Sequence, residues 1–177
     1  MPLSYRSLDS GELARIGEID RTEAIDTLYV YEEGALREVR GDFSAPAWDR
    51  VGTGQHSVAA QRAELGRYVE KGAVCIGALD ERLIGIGVVL PHLRPGVAQL
   101  AYLFVSDGHR GEGVGTTLTR ELERLAREAG SRSMVVSATP SRNTVDFYRR
   151  RGYELMAEPL PELYELEPED IHLEKTL

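Results

Sequence analysis

Residues 106–116 read SDGHRGEGVGT, with glycine at positions 111, 113 and 115. An apolar stripe of helical spacing begins at Val114, so these glycines stand at the start of a helix. Glycine has no Cβ and lets backbone N–H groups approach an anion closely, and the positive dipole end of a helix favours phosphate oxygens. The segment therefore predicts a loop that holds a pyrophosphate, with a tight strand-to-helix turn as the alternative.

Two common phosphate-binding motifs do not match this loop. A P-loop needs Gly-Lys-Ser/Thr, which does not follow the glycines, and the dinucleotide fingerprint needs a third glycine where Thr116 stands. The order of elements also differs from both motifs, because three antiparallel strands are predicted before the loop. The phosphate loop therefore belongs to another kind of fold.

The segments around the loop predict a mixed sheet. Ala73–Leu79, Leu83–Leu90 and Val97–Val105 are apolar and rich in Val and Ile, which indicates an antiparallel meander. Ser133–Ser137 is a further buried strand after the helix, so strand, helix and strand favour a parallel crossover. The helical stripe consists of Val114, Leu118, Leu122, Leu125 and Ala129.

The rest of the chain predicts shorter elements. Asp42–His56 has no periodicity and predicts a loop anchored by Phe43 and Trp48, and Pro91–Gly96 is expected to break the chain. The other expected elements are a strand over Leu3–Leu8, a helix carrying Leu13, Ile16 and Ile19 after a capping-box-like Asp9 and Glu12, a hairpin of Thr27–Tyr31 and Ala35–Arg40, a helix capped by Ser57, a short helix from Ser141 or Asn143 to Arg151, and strands at Tyr153–Met156 and Ile171–Leu177.

Composition narrows the class of protein. The chain has 177 residues, of which 42% are apolar and 28% charged, and this suits one globular domain. Its 21 basic and 29 acidic residues give a net charge of −8, which argues against a general affinity for nucleic acid or anionic membranes. Any phosphate binding must therefore be local.

The cysteine and histidine content argues against disulfides and metal sites. Cys75 is the only cysteine, which excludes an internal disulfide and a CxxC zinc site and favours the cytoplasm. The four histidines lack metal-ligand spacing, so we expect no metal site. Met1–Leu13 has no apolar signal-peptide core, and no run of about twenty apolar residues predicts a membrane span.

Two motifs lie on the predicted strand–helix units. RGEGVG covers residues 110–115, and NTVDFYRRRGY covers residues 143–153. The first resembles the Gln/Arg-x-x-Gly-x-Gly/Ala signature that the GNAT superfamily of N-acetyltransferases carries after its fourth strand. The second is similar to the Asn, Phe-Tyr and Gly-Phe/Tyr segment of the same family. The pair at this separation is far more specific than either motif alone.

The resemblance covers Ala73–Met156 well and Met1–Lys71 only in outline. It implies an α/β (α+β) fold with a mixed, mostly antiparallel sheet of about seven strands, flanked by about four helices. The sheet would be splayed between its fourth and fifth strands. We therefore expect a single GNAT-like domain over residues 1–177, with an extra hairpin and loop insertion around residues 21–56.

The resemblance further implies acetyl-coenzyme A as the acyl donor, lying where the sheet splays. Backbone groups of three residues on the fourth strand would pair with its pantetheine arm and polarise the thioester carbonyl. Tyr148 would act as general acid towards the departing thiolate, with an ordinary aromatic core position as the alternative. The expected donor-binding residues are Leu103, Phe104, Val105, Arg110, Gly111, Glu112, Gly113, Val114, Gly115, Thr116, Asn143 and Tyr148.

The base that accepts the proton of the amine is not evident in the sequence. Many relatives carry a glutamate at the position of Gln99, and an amide cannot serve. A lysine-like amine with a pKa of about 10.4 costs roughly 4 to 5 kcal/mol to deprotonate at pH 7. Glu32, Glu33, Asp42 and a water relay are the alternatives.

Several other side chains predict structural roles. Cys75 is expected in the core and His109 in solvent. We expect Trp48 to lie in the core, with a position in the wall of the acceptor pocket as the alternative. The cations of Arg149–Arg151 fall in the last turn of a helix, where they offset its dipole, with a bound 3′-phosphate as the alternative.

The resemblance implies an N-acetyltransferase that moves an acetyl group to a primary amine by direct attack in a ternary complex. Acidic residues around Asp26–Asp42 favour a cationic small-molecule or peptide amine. A non-catalytic acyl-coenzyme A sensor is one alternative, for which Gln99 is the hint, and a transferase for longer acyl chains is another. Pairing of the C-terminal strand with a second copy would give a homodimer.

Overall fold

The computed structural model describes residues 2–177. An initial strand, a 3₁₀ helix and a long hairpin precede a helix, three consecutive strands and then three helices that alternate with strands. In chain order they are β1 (Ser4–Ser7), a 3₁₀ helix (Leu13–Glu18), β2 (Glu23–Glu32), β3 (Ala35–Ala45), α1 (Val58–Glu70), β4 (Val74–Leu79), β5 (Leu83–Arg94), β6 (Val97–Val105), a 3₁₀ turn (Asp107–His109), α2 (Val114–Glu128), β7 (Ser133–Ala138), α3 (Arg142–Arg149), β8 (Glu154–Leu155), α4 (Pro161–Tyr164) and β9 (Ile171–Thr176).

Seven strands form the main sheet in the order β1-β4-β5-β6-β7-β9-β8. Every neighbouring pair is antiparallel except β6 and β7, which are parallel and joined through α2. The predicted meander and the predicted crossover are both confirmed. The sheet is therefore mixed and mostly antiparallel, as the sequence indicated.

Each face of the sheet has its own apolar core. On one face α2 and α3 bury Leu118, Leu122 and Val145. On the other face α1 and the first 3₁₀ helix bury Leu65 and Ile16. The two faces thus carry different helices, and any cleft through the sheet connects them.

The predicted capping residues lie at the ends of the helices. The Ser57 side chain accepts a hydrogen bond from Ala60 N–H at the start of α1, and Ser141 does the same for Thr144 at the start of α3. Gly72 follows α1 with a φ of +93°, a left-handed conformation that favours glycine.

The hairpin of β2 and β3 forms a separate two-stranded sheet. Its two-residue turn has positive φ at Glu33 and Gly34, the geometry that suits tight hairpins. The Tyr29 N–H donates to the Pro140 carbonyl at 2.7 Å, and Leu28 bridges Ser141. The hairpin therefore lies against the start of α3.

Several sequence predictions of element type or length were wrong. Strand β5 continues through Pro91 to Arg94, because the proline stands in an irregular stretch of the β5–β6 register that needs no ladder hydrogen bond from it. The first helix is a short 3₁₀ helix, Leu13–Glu18. The hairpin strands are longer than expected, so β3 takes the first four residues of the predicted loop.

The C-terminal region also differs in detail from expectation. Strand β8 is reduced to Glu154–Leu155, and the proline-rich loop contains the one-turn helix α4. Strand β9 lies inside the sheet, between β7 and β8. No helix within residues 2–177 is long and apolar enough to cross a membrane.

Candidate functional site

Strands β6 and β7 separate part-way along their length. Their pairing runs from Val97 with Ser133 to Leu100 with Val136 and then stops. Strand β6 continues to Val105 while paired with β5 on its other side. Beyond Leu100, the side of β6 that faces β7 is therefore an open strand edge, which confirms the predicted splay.

A bulge sits beside this fork. Val88 pairs with Tyr102 and Val89 with Leu100, so Ala101 is an extra residue in β6. Bulges bend a strand and redirect its side chains. Here Gln99 and Tyr102 both form hydrogen bonds with residues of α1, although they are three positions apart.

The glycine loop presents free amides at the start of α2. None of the N–H groups from Gly111 to Thr116 donates to another residue within 2–177, and the first intrahelical bond is from Thr117 N–H to the Gly113 carbonyl. Gly111 and Gly113 have φ of +83° and +86°, a left-handed conformation that favours glycine. Six successive donors at a helix N-terminus suit an anion with several oxygens.

Gly115 has a different role from the other two glycines. A Cβ added there would lie 3.2 Å from Phe147 Cε2 and 3.6 Å from Val105 Cγ2. Glycine at this position therefore allows α2, α3 and the end of β6 to approach one another closely. The open strand edge and the free amides are adjacent for that reason.

Arg110 holds the entrance of the loop rather than contributing to the set of free amides. Its N–H donates to the Asp107 carbonyl at 3.2 Å, so this predicted donor-binding residue offers no free amide. Its guanidinium bonds the Val105 carbonyl at 3.2 Å and the Thr22 carbonyl at 2.9 Å. The Glu112 carboxylate lies 3.0 Å from His109 Nδ1. These contacts fix the loop from both sides.

Arg151 brings a positive charge to the same place. Its Nη2 donates to the Thr116 hydroxyl, its Nη1 donates to the Phe147 carbonyl at 2.7 Å, and its Cζ stacks 3.4 Å from the Phe147 ring centroid. Burial and the neighbouring arginines lower its pKa, and Nε is buried without a partner. The sequence predicted a cap of α3, and the contact with α2 was missed.

Tyr148 is 4% exposed and lies between two aromatic rings. The ring centroids of Phe147 and Tyr153 are 5.2 and 5.4 Å away. Its hydroxyl has no hydrogen-bond partner within residues 2–177, but the hydroxyl oxygen is not fully buried. Burial raises the pKa of Tyr148, so the hydroxyl is protonated at neutral pH.

Asn143 is exposed in the first turn of α3 and faces the hairpin. Its side-chain amide donates to Glu23 Oε1 at 3.1 Å. Nearby, the Tyr29 hydroxyl donates to Asp146 Oδ1 at 3.1 Å, and Arg142 pairs with Asp26 at 3.2 Å. The hairpin thus covers the start of α3, and a ligand that bound Asn143 would displace Glu23.

On the α1 face of the fork lies a group of polar side chains, called the α1-side polar cluster below. The Gln99 amide donates to the Tyr68 hydroxyl at 3.3 Å, and the Tyr102 hydroxyl donates to Gln61 at 3.0 Å. Ser137 follows the last β7 residue that pairs with β6. The cluster consists of Gln61, Glu64, Tyr68, Gln99, Tyr102, Ser137, Glu167 and His172.

The comparisons with known proteins agree with this geometry. The model of the acetyltransferase (GNAT) family matches residues 40–153, more than half of the chain. The chain belongs to the GNAT acetyltransferase family. It is therefore an acyltransferase, and the resemblance predicted from its motifs is confirmed. No curated protein sequence matches the chain significantly.

Solved structures similar to this GNAT chain include a nourseothricin acetyltransferase, at 21% identity and a TM-score of 0.73 over 99% of both chains. A candidate streptothricin acetyltransferase from Bacillus anthracis, with acetyl coenzyme A bound, has 17% identity and a TM-score of 0.67 over 100% of this chain and 98% of its own. PaiA N-acetyltransferase from Thermoplasma acidophilum, in complex with coenzyme A, has 17% identity and a TM-score of 0.64 over both whole chains. At these identities the likeness shows the fold.

The base candidates named from the sequence do not gather at the fork of this GNAT chain. Glu32 lies at the hairpin tip in an ion pair with Arg37 at 2.8 Å, which lowers its pKa. Glu33 belongs to the exposed hairpin turn, and Asp42 is exposed on β3. The carboxylates that do lie on the α1 side of the fork are Glu64 and Glu167.

Sequence reasoning missed these two glutamates for different reasons. Gln61, Glu64 and Tyr68 are spaced as one face of a helix, and that polar stripe was a usable signal. Glu167 stands in an irregular loop, so no local pattern could place it beside α1.

The structure also agrees with two predictions of structural roles. Cys75 is 2% exposed, and burial raises the pKa of its thiol to about 11. Trp48 is buried and packs edge-on against Phe104 at 5.4 Å. Within residues 2–177, no three His, Cys, Asp or Glu residues gather as a metal site would need.

Proposed function

We propose that this GNAT chain transfers an acetyl group from acetyl-coenzyme A to a primary amine by direct attack in a ternary complex. One observation carries the proposal: six unpaired N–H groups, from Gly111 to Thr116, stand beside an open edge of β6. A diphosphate ester with an extended amide arm matches both features, because its phosphates need donors and its amides need a strand partner.

On the donor side, the amides of Gly111–Thr116 would hold the pyrophosphate. Arg151, already in contact with Thr116, would add a positive charge beside it. The edge of β6 at Leu103 and Phe104 would pair with the pantetheine arm, whereas the Val105 carbonyl is already bonded to Arg110. Family membership and the coenzyme A species bound in two of the similar structures support this donor.

The chemical step joins the amine nitrogen to the thioester carbonyl carbon and breaks the C–S bond. The departing thiolate needs a proton, and a coenzyme A thiol has a pKa of about 8.5 by analogy with cysteine. A tyrosine hydroxyl is more weakly acidic than that thiol, and burial raises the pKa of Tyr148 further. We propose that Tyr148 donates a hydrogen bond that stabilises the sulfur as charge develops on it, and that it protonates the thiolate as general acid.

On the acceptor side, the α1-side polar cluster suits a cationic amine. Glu64 and Glu167 carry negative charge, and the chain as a whole carries −8. An ammonium ion would be attracted to that face. Two of the similar structures are named for nourseothricin and streptothricin, which makes these compounds the first amines to test.

The proposal is tested by following free thiol as the protein is mixed with acetyl-coenzyme A and a panel of amines. The panel holds streptothricin, nourseothricin, a polyamine, an aminoglycoside, a lysine peptide and glutamate as the acidic control. We expect thiol release with at least one cationic amine and none above background with glutamate.

Two other outcomes would redirect the proposal. Tight acetyl-coenzyme A binding without thiol release across the panel would favour an acyl-coenzyme A sensor. Faster release from a longer thioester than from acetyl-coenzyme A would favour a different acyl donor.

A further inference from the structure

Two carboxylates face the fork of the sheet from different elements. Glu64 projects from α1, and Glu167 comes from the loop between α4 and β9. Their charges act on each other and on the hydroxyls of Tyr68 and Tyr102. Tyr102 and Ser137 are among the first residues past the last β6–β7 pair, and Glu167 interacts with both of them. The two carboxylates therefore lie on the α1 side of the fork.

Gln99 adds a second, independent feature to this place. It is 6% exposed, and its amide nitrogen donates to Tyr68. Its side-chain oxygen accepts no hydrogen bond from residues 2–177. This oxygen is unpaired but not fully buried, so a ligand can reach it and an ammonium or amine N–H would donate to it.

His172 fixes the loop that carries Glu167. Its Nε2 lies 3.1 Å from the Glu167 carbonyl, which can only accept, so Nε2 carries the proton. Nδ1 then accepts from the Ser137 hydroxyl at 3.1 Å. Burial lowers the pKa of His172 and keeps it neutral, so the loop is held by uncharged hydrogen bonds.

We infer that Glu167 is the general base that deprotonates the acceptor amine, and that Glu64 and the Gln99 side-chain oxygen hold the ammonium form beside it. This inference rests on the proposed function. It assigns the general base of that reaction, a role that the amide of Gln99 cannot perform. The general base would then lie in the loop before β9, and not on β6 where Gln99 stands.

The surroundings of Glu167 support basicity in a carboxylate. Although much of the residue is exposed, burial of its carboxylate raises its pKa, and the charge of Glu64 raises it further. A hydrogen bond with Ser137 acts in the opposite direction, and the net effect is a raised pKa. The other titratable groups that face Glu167 are Tyr68 on α1, Tyr102 on β6, His172 on β9, and Glu169 and Asp170 in its own loop.

The proton balance is simple. The ammonium gives one proton to the Glu167 carboxylate, and the free amine lone pair attacks the thioester carbon. The C–N bond forms, the C–S bond breaks, and Tyr148 supplies the proton that the thiolate takes. The nitrogen now bonded to the acyl carbon loses its second proton to water, and water returns one proton to the Tyr148 phenolate. The proton held by Glu167 is released to solvent, so the net reaction frees one proton.

The kinetic test compares Glu167→Gln with the matched control Glu165→Gln, an exposed glutamate of the same segment. With n-butylamine or streptothricin at pH 7, we expect Glu167→Gln to lower kcat about 10²-fold or more. With methoxyamine, which is largely unprotonated at pH 7, the loss should shrink to a few-fold. Glu165→Gln should match the parent, and acetyl-coenzyme A affinity should be unchanged in both variants.

A carbon-13 NMR titration tests the same inference without turnover. The Glu167 carboxyl should titrate above an ordinary glutamate, and Glu64→Gln should lower its pKa because a negative neighbour is removed. Full activity of Glu167→Gln with an unaltered pH profile, or an ordinary titration that Glu64→Gln does not move, would overturn the inference. A parent protein that acetylates no amine would instead overturn the proposed function itself.

Discussion

Tyr148 is the residue whose proposed role can be tested most specifically by a single substitution. Its ring is packed in the core, while its hydroxyl has no partner within residues 2–177. We expect Tyr148→Phe to lower kcat about 10²-fold, because the developing thiolate loses its hydrogen-bond donor, while acetyl-coenzyme A affinity stays the same. Steady-state kinetics and calorimetry measure the two effects.

The folding of this variant provides its own control. Since the hydroxyl bonds no described residue, the urea midpoint of Tyr148→Phe should equal that of the parent. Undiminished turnover in a correctly folded variant would remove Tyr148 from the mechanism and leave it a core aromatic.

Asp170 offers a prediction of pH dependence. Burial, with the charges of Glu167 and Glu169, raises its pKa from 3.8 to about 7. A carboxyl whose pKa is raised on folding disfavours the fold when it ionises, so the penalty exists above about pH 7 and fades as the pH falls towards 4. Asp170→Asn should therefore increase the free energy of unfolding at pH 8 and change it little at pH 4.

Urea unfolding of parent and Asp170→Asn at the two pH values measures this difference. An equal shift at pH 8 and pH 4 would mean that the substitution acts through packing and that Asp170 is not strained by its charge.

The sequence predicts some of the candidate site residues and misses others for a physical reason. Gly111, Gly113 and Tyr148 belong to local motifs whose spacing is visible along the chain. Arg151 reaches Thr116 from the end of another helix, and the charge of Glu64 on α1 acts on Glu167 in a distant loop. Contacts between distant segments leave no local pattern, so side chains of that kind could be found only in the folded structure.

Among the helices and strands, the start of α2 is the element proposed to bind the pyrophosphate of acetyl-coenzyme A. Gly113 has a φ of +86°, and a Cβ there would meet no protein atom within 4 Å. Gly113→Ala should cost about 1 to 2 kcal/mol in stability from the left-handed backbone. It should also weaken acetyl-coenzyme A binding at least tenfold, because the methyl group and the relaxed backbone disturb the free amides. Calorimetry and urea unfolding give both numbers.

Gly130 supplies a matched control at the other end of the same helix. Its φ is +91°, and a Cβ there would also meet nothing within 4 Å. Gly130→Ala should lose comparable stability and keep the donor affinity of the parent. Equal affinity loss in both variants would mean that the loss follows general destabilisation and that the loop binds no phosphate.

The type of most elements was predictable, but their ends were less so. Apolar stripes and caps located α1, α2 and α3, and the β-branched runs located the meander. The extension of β5 past Pro91 and the reduction of β8 to Glu154–Leu155 depend on neighbouring strands. A strand ends where its partner ends, and a partner distant in sequence is invisible to a local pattern.

For the molecule as a whole, the two faces of the sheet have different roles in the proposed reaction. The donor would enter beside α2 and α3, and the amine would enter beside α1. Cys75 is 2% exposed with a pKa raised to about 11, so it cannot serve as an acyl carrier. We therefore expect direct transfer, with intersecting initial-velocity lines and full turnover in Cys75→Ala.

Parallel initial-velocity lines together with loss of turnover in Cys75→Ala would contradict direct transfer. A retained acetyl group on the isolated protein, detected as a mass increase after exposure to acetyl-coenzyme A alone, would do the same.

The overall architecture was predictable because two motifs and the order of strands agreed with one another. The mixed sheet and the parallel crossover follow from that order, whereas the splay was implied by the family resemblance. The contact of the hairpin with the start of α3, through Tyr29 and Pro140, could not be predicted. No pattern in the hairpin sequence indicates which segment it packs against.

Donor binding at the glycine loop can be measured by amide hydrogen exchange with and without acetyl-coenzyme A. We predict that exchange slows at Gly111–Thr116, whose N–H groups have no acceptor within residues 2–177, and that β6 beyond Leu100 is protected with them. Unchanged exchange at these amides under saturating acetyl-coenzyme A would show that the loop does not bind the donor.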